Sequence, residues 1–180
     1  YTKTPSEIVA REMLKEVMLG TVNEDNSVIA TCFASNIARL KSLVEFGKKM
    51  NRRVVFLGRS LMKYSEAAKD VGIIDFSKDA LIVGYRDRVA RILQKIEKEG
   101  KSGYLIVCTG GQAEPNSVLS RIANKQLSFY LSPEDNIIFS NRIIPVEPNI
   151  TNRGRLEKLL RGYGVRIYEN LHVSVTPDTE

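Results

Sequence analysis

Histidine occurs once in the 180 residues, at His172. A hydrolytic pair of zinc ions needs several histidine and aspartate ligands with open coordination positions, so this chain cannot assemble such a centre from its own residues. Cysteine is nearly as scarce. Cys32 and Cys108 sit inside the apolar runs VIATCFA and YLIVCTG, where a free thiol behaves as a small buried hydrophobe. Two cysteines make no disulfide framework, and free buried thiols imply a reducing, cytoplasmic setting. No apolar run approaches the roughly 18 to 20 residues of a membrane span, and the first residues lack a basic and apolar targeting pattern. No membrane partner is therefore expected. A nucleophile elbow, a Walker A loop and a GxGxxG fingerprint are also missing, which removes the usual support for acyl hydrolysis, nucleoside triphosphate hydrolysis and dinucleotide binding.

What is present fits an ordinary globular chain, with 43% hydrophobic and 27% charged residues. Its length suits one domain over residues 1–180 with a core that needs no disulfide staples. The chain opens on Tyr1, from which we expect a piece of a longer protein. Lysine and arginine outnumber the acids by 27 to 21, for a net charge of +6 and a pI near 9.3. That surplus favours a polyanionic partner only mildly, because solubility alone accounts for it equally well.

Along the chain, Thr4, Pro5 and Glu7 form a helix start, and the pattern predicts a helix from about residue 5 to 18, ended by Gly20. Apolar runs then alternate with amphipathic stretches. VIATCFA precedes NIARLKSLVEFGKKM, RVVFLG precedes LMKYSEAAKDV, YLIVCTGG precedes NSVLSRIANKQ, and NIIFS precedes TNRGRLEKLLRGYG and VRIYE. A further helix is expected over 85–99, with Val89, Ile92, Leu93 and Ile96 on its packing face. Strands alternating with helices predict an α/β, Rossmann-like fold with a mainly parallel sheet flanked by helices.

In such a sheet, ligands bind beyond the carboxyl ends of the strands. The residues there are Ser35 and Asn36, then Gly58, Arg59 and Ser60, then Thr109, Gly110, Gly111, Gln112, Ala113 and Glu114, then Ser140, Asn141 and Arg142. Each has a plain structural role open to it: Ser35 as a helix cap, Gly110 and Gly111 as turn formers, Arg59 as a surface charge, Glu114 as a first-turn acid. Their recurrence after four apolar runs is what points to a phosphate-binding rim.

The blocks ATCFASNIARL, VVFLGRS, LIVCTGGQAEPNSVLSRIAN, IIFSNRIIP and LHVS together resemble the β-CASP insertion of the ribonuclease J family, over roughly residues 2–174. The resemblance implies a β-CASP domain that works beside a metallo-β-lactamase domain, with RNA passing between the two towards a zinc pair held mostly by the other domain. It implies a catalytic role for Glu114, and phosphate contact for His172 and Ser174. Ser120 and Arg121 are added as RNA or phosphate contacts because they lie on the helix that the glycine loop opens towards the strand ends. No metal ligand and no cofactor is expected in this chain itself, which alone is not expected to cleave RNA. Val175 and Thr176 stand where the family has glycine and a second histidine. Truncation with altered end residues and a loss of catalysis both explain that departure; we favour truncation, and in either case the second histidine's role is not carried over. Two other classes stay open: a stand-alone Rossmann-like module for a phosphorylated small molecule, and a protein-interaction domain whose uncovered apolar face pairs in a homodimer.

Overall fold

The computed structural model describes residues 5–169. Helix α1 (Pro5–Glu16) leads into strand β1 (Val28–Thr31) and helix α2 (Ile37–Lys49). Strand β2 (Arg53–Leu57), helix α3 (Arg59–Asp70), strand β3 (Ala80–Val83) and helix α4 (Arg86–Glu99) follow. The chain closes with β4 (Tyr104–Cys108), α5 (Val118–Ala123), β5 (Asn136–Phe139), α6 (Asn149–Gly162) and β6 (Arg166–Tyr168).

The six strands form one sheet in the order β3-β2-β4-β1-β5-β6, and each neighbouring pair is parallel. Helices cover both faces, so the central strands read as unbroken apolar runs; all residues of β1, β4 and β5 are buried. One core lies under α4, α5 and α6 and holds Leu93, Ile122 and Leu160, while the other lies under α1, α2 and α3 and holds Leu14, Phe46 and Leu61. Right-handed crossovers impose this division, because the chain travels one way along the sheet from β1 to β3 and the other way from β3 to β6.

Three local expectations change. The first helix does not stop at residue 18: α1 widens into a π-helical turn over Val17–Thr21, closed by the Val22 N–H on the Val17 carbonyl at 2.9 Å, with Gly20 inside it. Strand β1 ends at Thr31, so Cys32 and Phe33 leave the ladder and turn towards the rim. Strand β3 is an addition, an edge strand in which Leu81 is 45% exposed. Among the described residues no helix is long and apolar enough to cross a membrane.

Candidate functional site

Strand order decides where clefts open. β4 lies between β1 and β2, and its following chain departs towards the α4–α6 layer while both neighbours send theirs to the α1–α3 layer. Loops that part in this way leave a crevice on each side of β4, at the carboxyl ends of the strands. The first, of about 230 Å³, lies between the loops after β1, β2, β4 and β5; the second, of about 440 Å³, lies between those after β2, β3 and β4.

The glycine loop after β4 is pinned at both ends to Thr109. The Thr109 carbonyl accepts from the Leu119 N–H at 3.1 Å, and its hydroxyl oxygen accepts from the Val118 N–H at 3.1 Å. Gly111 packs so closely on the Asn141 side chain that a Cβ there would overlap the amide. Asn141 is itself fixed, its Oδ1 accepting from the Thr31 hydroxyl at 3.1 Å. From α6, the buried Arg153 donates to the Gly111 carbonyl at 2.9 Å, pairs with Glu157 and Glu169, and lies 3.5 Å from the centre of the Phe139 ring. The loop is therefore held by the side chains of Thr109, Asn141 and Arg153.

Ser35, Ser60, Gly110, Gly111, Gln112 and Glu114 line the smaller cleft. Arg59 and Arg121 line the larger one. Other predicted residues are engaged in the framework. Asn36 caps α2, accepting from the Arg39 N–H at 3.0 Å. Ser140 is 2% exposed, and both its hydroxyl and its carbonyl accept from Arg39, which pairs with Glu7. Gln112 donates to the Arg142 carbonyl at 2.9 Å and accepts from the Ile144 N–H at 2.8 Å, so its amide ties two rim loops together. Ser120 is buried in α5, whereas the Arg142 side chain is exposed. Glu114 is exposed, and the Ser117 N–H donates to its carbonyl in the turn before α5; it is not a first-turn acid. His172 and Ser174 lie outside the described residues.

Reading the sequence missed Tyr64 in the smaller cleft and Arg86 in the larger, whereas Thr109 and Asn141, which it placed in the rim loops, line the smaller cleft. The signal for Arg86 was the quartet ALIV followed by Gly84, a strand and loop of the same kind as the others.

The smaller cleft offers hydroxyls, amides and one exposed carboxylate, a set suited to binding and orienting a phosphate-bearing ligand. Burial pushes the Cys32 thiol up to about 12, and it raises the Cys108 thiol as well, so neither is a ready thiolate. Among the described residues no group of three or more His, Cys, Asp or Glu could hold a metal ion. The described residues therefore do not fit the zinc that the resemblance implies.

A family model described as the β-CASP domain of ribonuclease J matches residues 25–154, a stretch that includes every strand with a loop in either cleft. The chain belongs to the ribonuclease J β-CASP family. It is 42% identical over 173 residues to ribonuclease J of Pyrococcus abyssi, covering 96% of this chain and 38% of that protein. It is 41% identical over 172 residues to ribonuclease J of Methanocaldococcus jannaschii, again 96% of this chain and 38% of that protein. Ribonuclease J of Thermus thermophilus is 32% identical over 151 residues, 83% of this chain and 24% of that protein. The β-CASP chain thus spans well under half the length of these relatives.

Proposed function

We propose that this chain is the RNA-clamping part of a zinc-dependent ribonuclease, holding a single strand along the carboxyl-end rim while a metallo-β-lactamase domain supplies the metal ligands that the described residues lack. The observation that carries this reading is the convergence of loops from β1, β2, β4 and β5 on one cleft around the exposed Glu114. The name of the relatives, ribonuclease J, supports RNA as the ligand.

In this reading Ser35, Ser60 and the backbone of Gly110 and Gly111 hydrogen-bond the strand's phosphates. Glu114, the acid on the cleft lip, faces the reacting region. Gln112, Ser140 and Asn36 act as positioning residues through the bonds described above, and exposed Arg59 and Arg142 add charge. Aromatics make up 7% of the chain, which leaves little base stacking and makes the salt-sensitive phosphate contribution dominant.

The test is fluorescence anisotropy of the 180-residue chain with labelled single-stranded RNA of unrelated sequences at several salt concentrations. The expected result is weak binding that is alike for all sequences and falls steeply with salt. Salt-independent binding, or strong preference for one sequence, would contradict it.

A further inference from the structure

Four arginines are buried among the described residues: Arg39, Arg52, Arg121 and Arg153. Three of them are engaged. Arg39 bonds Glu7 and Ser140, Arg52 donates to the carbonyls of Asn23, Glu24, Asn26 and Tyr104, and Arg153 bonds Glu157, Glu169 and Gly111. Arg121 differs. It is 7% exposed, and its Nε has no hydrogen-bond partner among the described residues. A buried donor without an acceptor is exceptional in a folded protein, and a buried guanidinium without an anion more so.

Arg121 faces the 440 Å³ crevice together with Arg59 and Arg86, and no Asp or Glu is among the lining residues. Two helices begin at that crevice, α3 of 12 residues after Gly58 and α4 of 14 residues after Tyr85, and neither has a side-chain cap. Their first-turn N–H groups and positive dipole ends therefore add to the same field. Gly58 is required for this geometry: its φ is +139°, and a Cβ would overlap the Thr109 side chain. Burial lowers the pKa of Arg121, and the charge of Arg86 lowers it further, the response of two guanidinium groups with no anion between them.

We propose that this crevice is a phosphate-binding subsite, distinct from the Glu114 cleft, in which Arg121, Arg86 and Arg59 and the first turns of α3 and α4 hold a nucleotide phosphate. Tyr85, 60% exposed at the crevice, offers a ring face for the attached base. The site stands on its own geometry and not on the RNA reading. The phosphate has two sources, an RNA strand or a free nucleotide.

The experiment is a titration of the ¹⁵N-labelled chain with inorganic phosphate at low ionic strength, followed by amide spectra. Saturable shifts are expected at the N–H groups of Ser60, Leu61, Asp87 and Arg88, with none from chloride at equal ionic strength. Arg121→Met is expected to weaken phosphate binding about tenfold, the loss of one charge-assisted contact. Arg86→Gln, at an exposed position, is expected to weaken it as well and keeps the test valid should the buried variant not fold. Displacement of phosphate by a short oligoadenylate identifies the strand as the source, and displacement by AMP alone identifies a free nucleotide. Absence of saturable shifts, or shifts unchanged in both variants, overturns the subsite even where RNA binding persists. Phosphate binding that depends on Arg121 in a chain that binds no RNA upholds the subsite and removes only the RNA reading.

Discussion

Arg121 and Arg153 are both buried cations, yet their replacement by methionine is expected to move stability in opposite directions. Arg121 is 7% exposed and its Nε donates to nothing among the described residues; leaving a buried donor unsatisfied costs about 1–3 kcal/mol. Methionine has similar length, fills an irregular space and carries no donor. Because the guanidinium borders a crevice and keeps part of its hydration, the lower half of that range applies, a gain of about 1–2 kcal/mol or about 2–8 °C for a domain of this size. Arg153 is 3% exposed and bonds Glu157, Glu169 and the Gly111 carbonyl. Its removal leaves those groups without their cation, a loss of about 3 kcal/mol and about 6–12 °C. The assay is scanning calorimetry in a buffer free of phosphate and sulfate, since an anion bound by the native state would stabilise the unsubstituted chain and hide the gain. A fall in Tm for Arg121→Met as large as that for Arg153→Met would refute the reasoning, because it would mean that Arg121 supports the fold as Arg153 does.

Gly111→Ala is expected to cost about 1–3 kcal/mol, because the new Cβ overlaps the buried Asn141 amide; urea denaturation checks this, and an unchanged midpoint would contradict the close approach. Cys32 and Cys108 are free and buried, so neither is expected to react with a thiol reagent until urea unfolds the chain; rapid reaction of one thiol in the native state would contradict their placement. Glu45 is held at about 2, below its ordinary 4.5, chiefly by its hydrogen bond from Arg11. Its folded pKa is depressed, so its contribution is present above pH 4.5 and is lost as pH falls towards 2. With the Glu45 side chain 42% exposed, solvent screening limits the contribution to about 0.5–1 kcal/mol. The stability gap between Glu45→Gln and the unsubstituted chain is then expected to shrink from pH 5 to pH 3, and a gap independent of pH would contradict it.

The parallel sheet was legible because strands buried on both faces must be continuous apolar runs, as VIAT, YLIVC and NIIF are. The edge strand ALIV was passed over, and with it went the loop carrying Arg86. Which loops meet at the rim follows from the alternation of strands and helices; which of their side chains face it does not. Ser140 turns inward because Arg39, 101 residues away in sequence, bonds it. Gln112 is spent on groups 30 and 32 residues distant. Arg121 could be placed on a helix near the rim from sequence, but its burial without a partner depends on packing. The π-helical turn after α1 likewise has no local residue signature, since its defining bond spans Val17 to Val22.

The central claim is that RNA follows the carboxyl-end rim, and arginines at the two ends of the sheet test it most directly. Arg59 and Arg142 lie at the carboxyl end, whereas Arg53 opens β2 at the amino end and lines a cleft with Lys48 and Tyr104; all three are exposed. Each Arg→Gln variant removes the same charge. In anisotropy titrations at low salt, R59Q and R142Q are expected to weaken single-stranded RNA binding and to reduce the salt slope by about 0.7 or less per contact, while R53Q leaves both unchanged. Equal weakening by R53Q, or no binding at about 100 µM protein, the weak end of the dissociation constants typical of sequence-independent contact, would contradict the account.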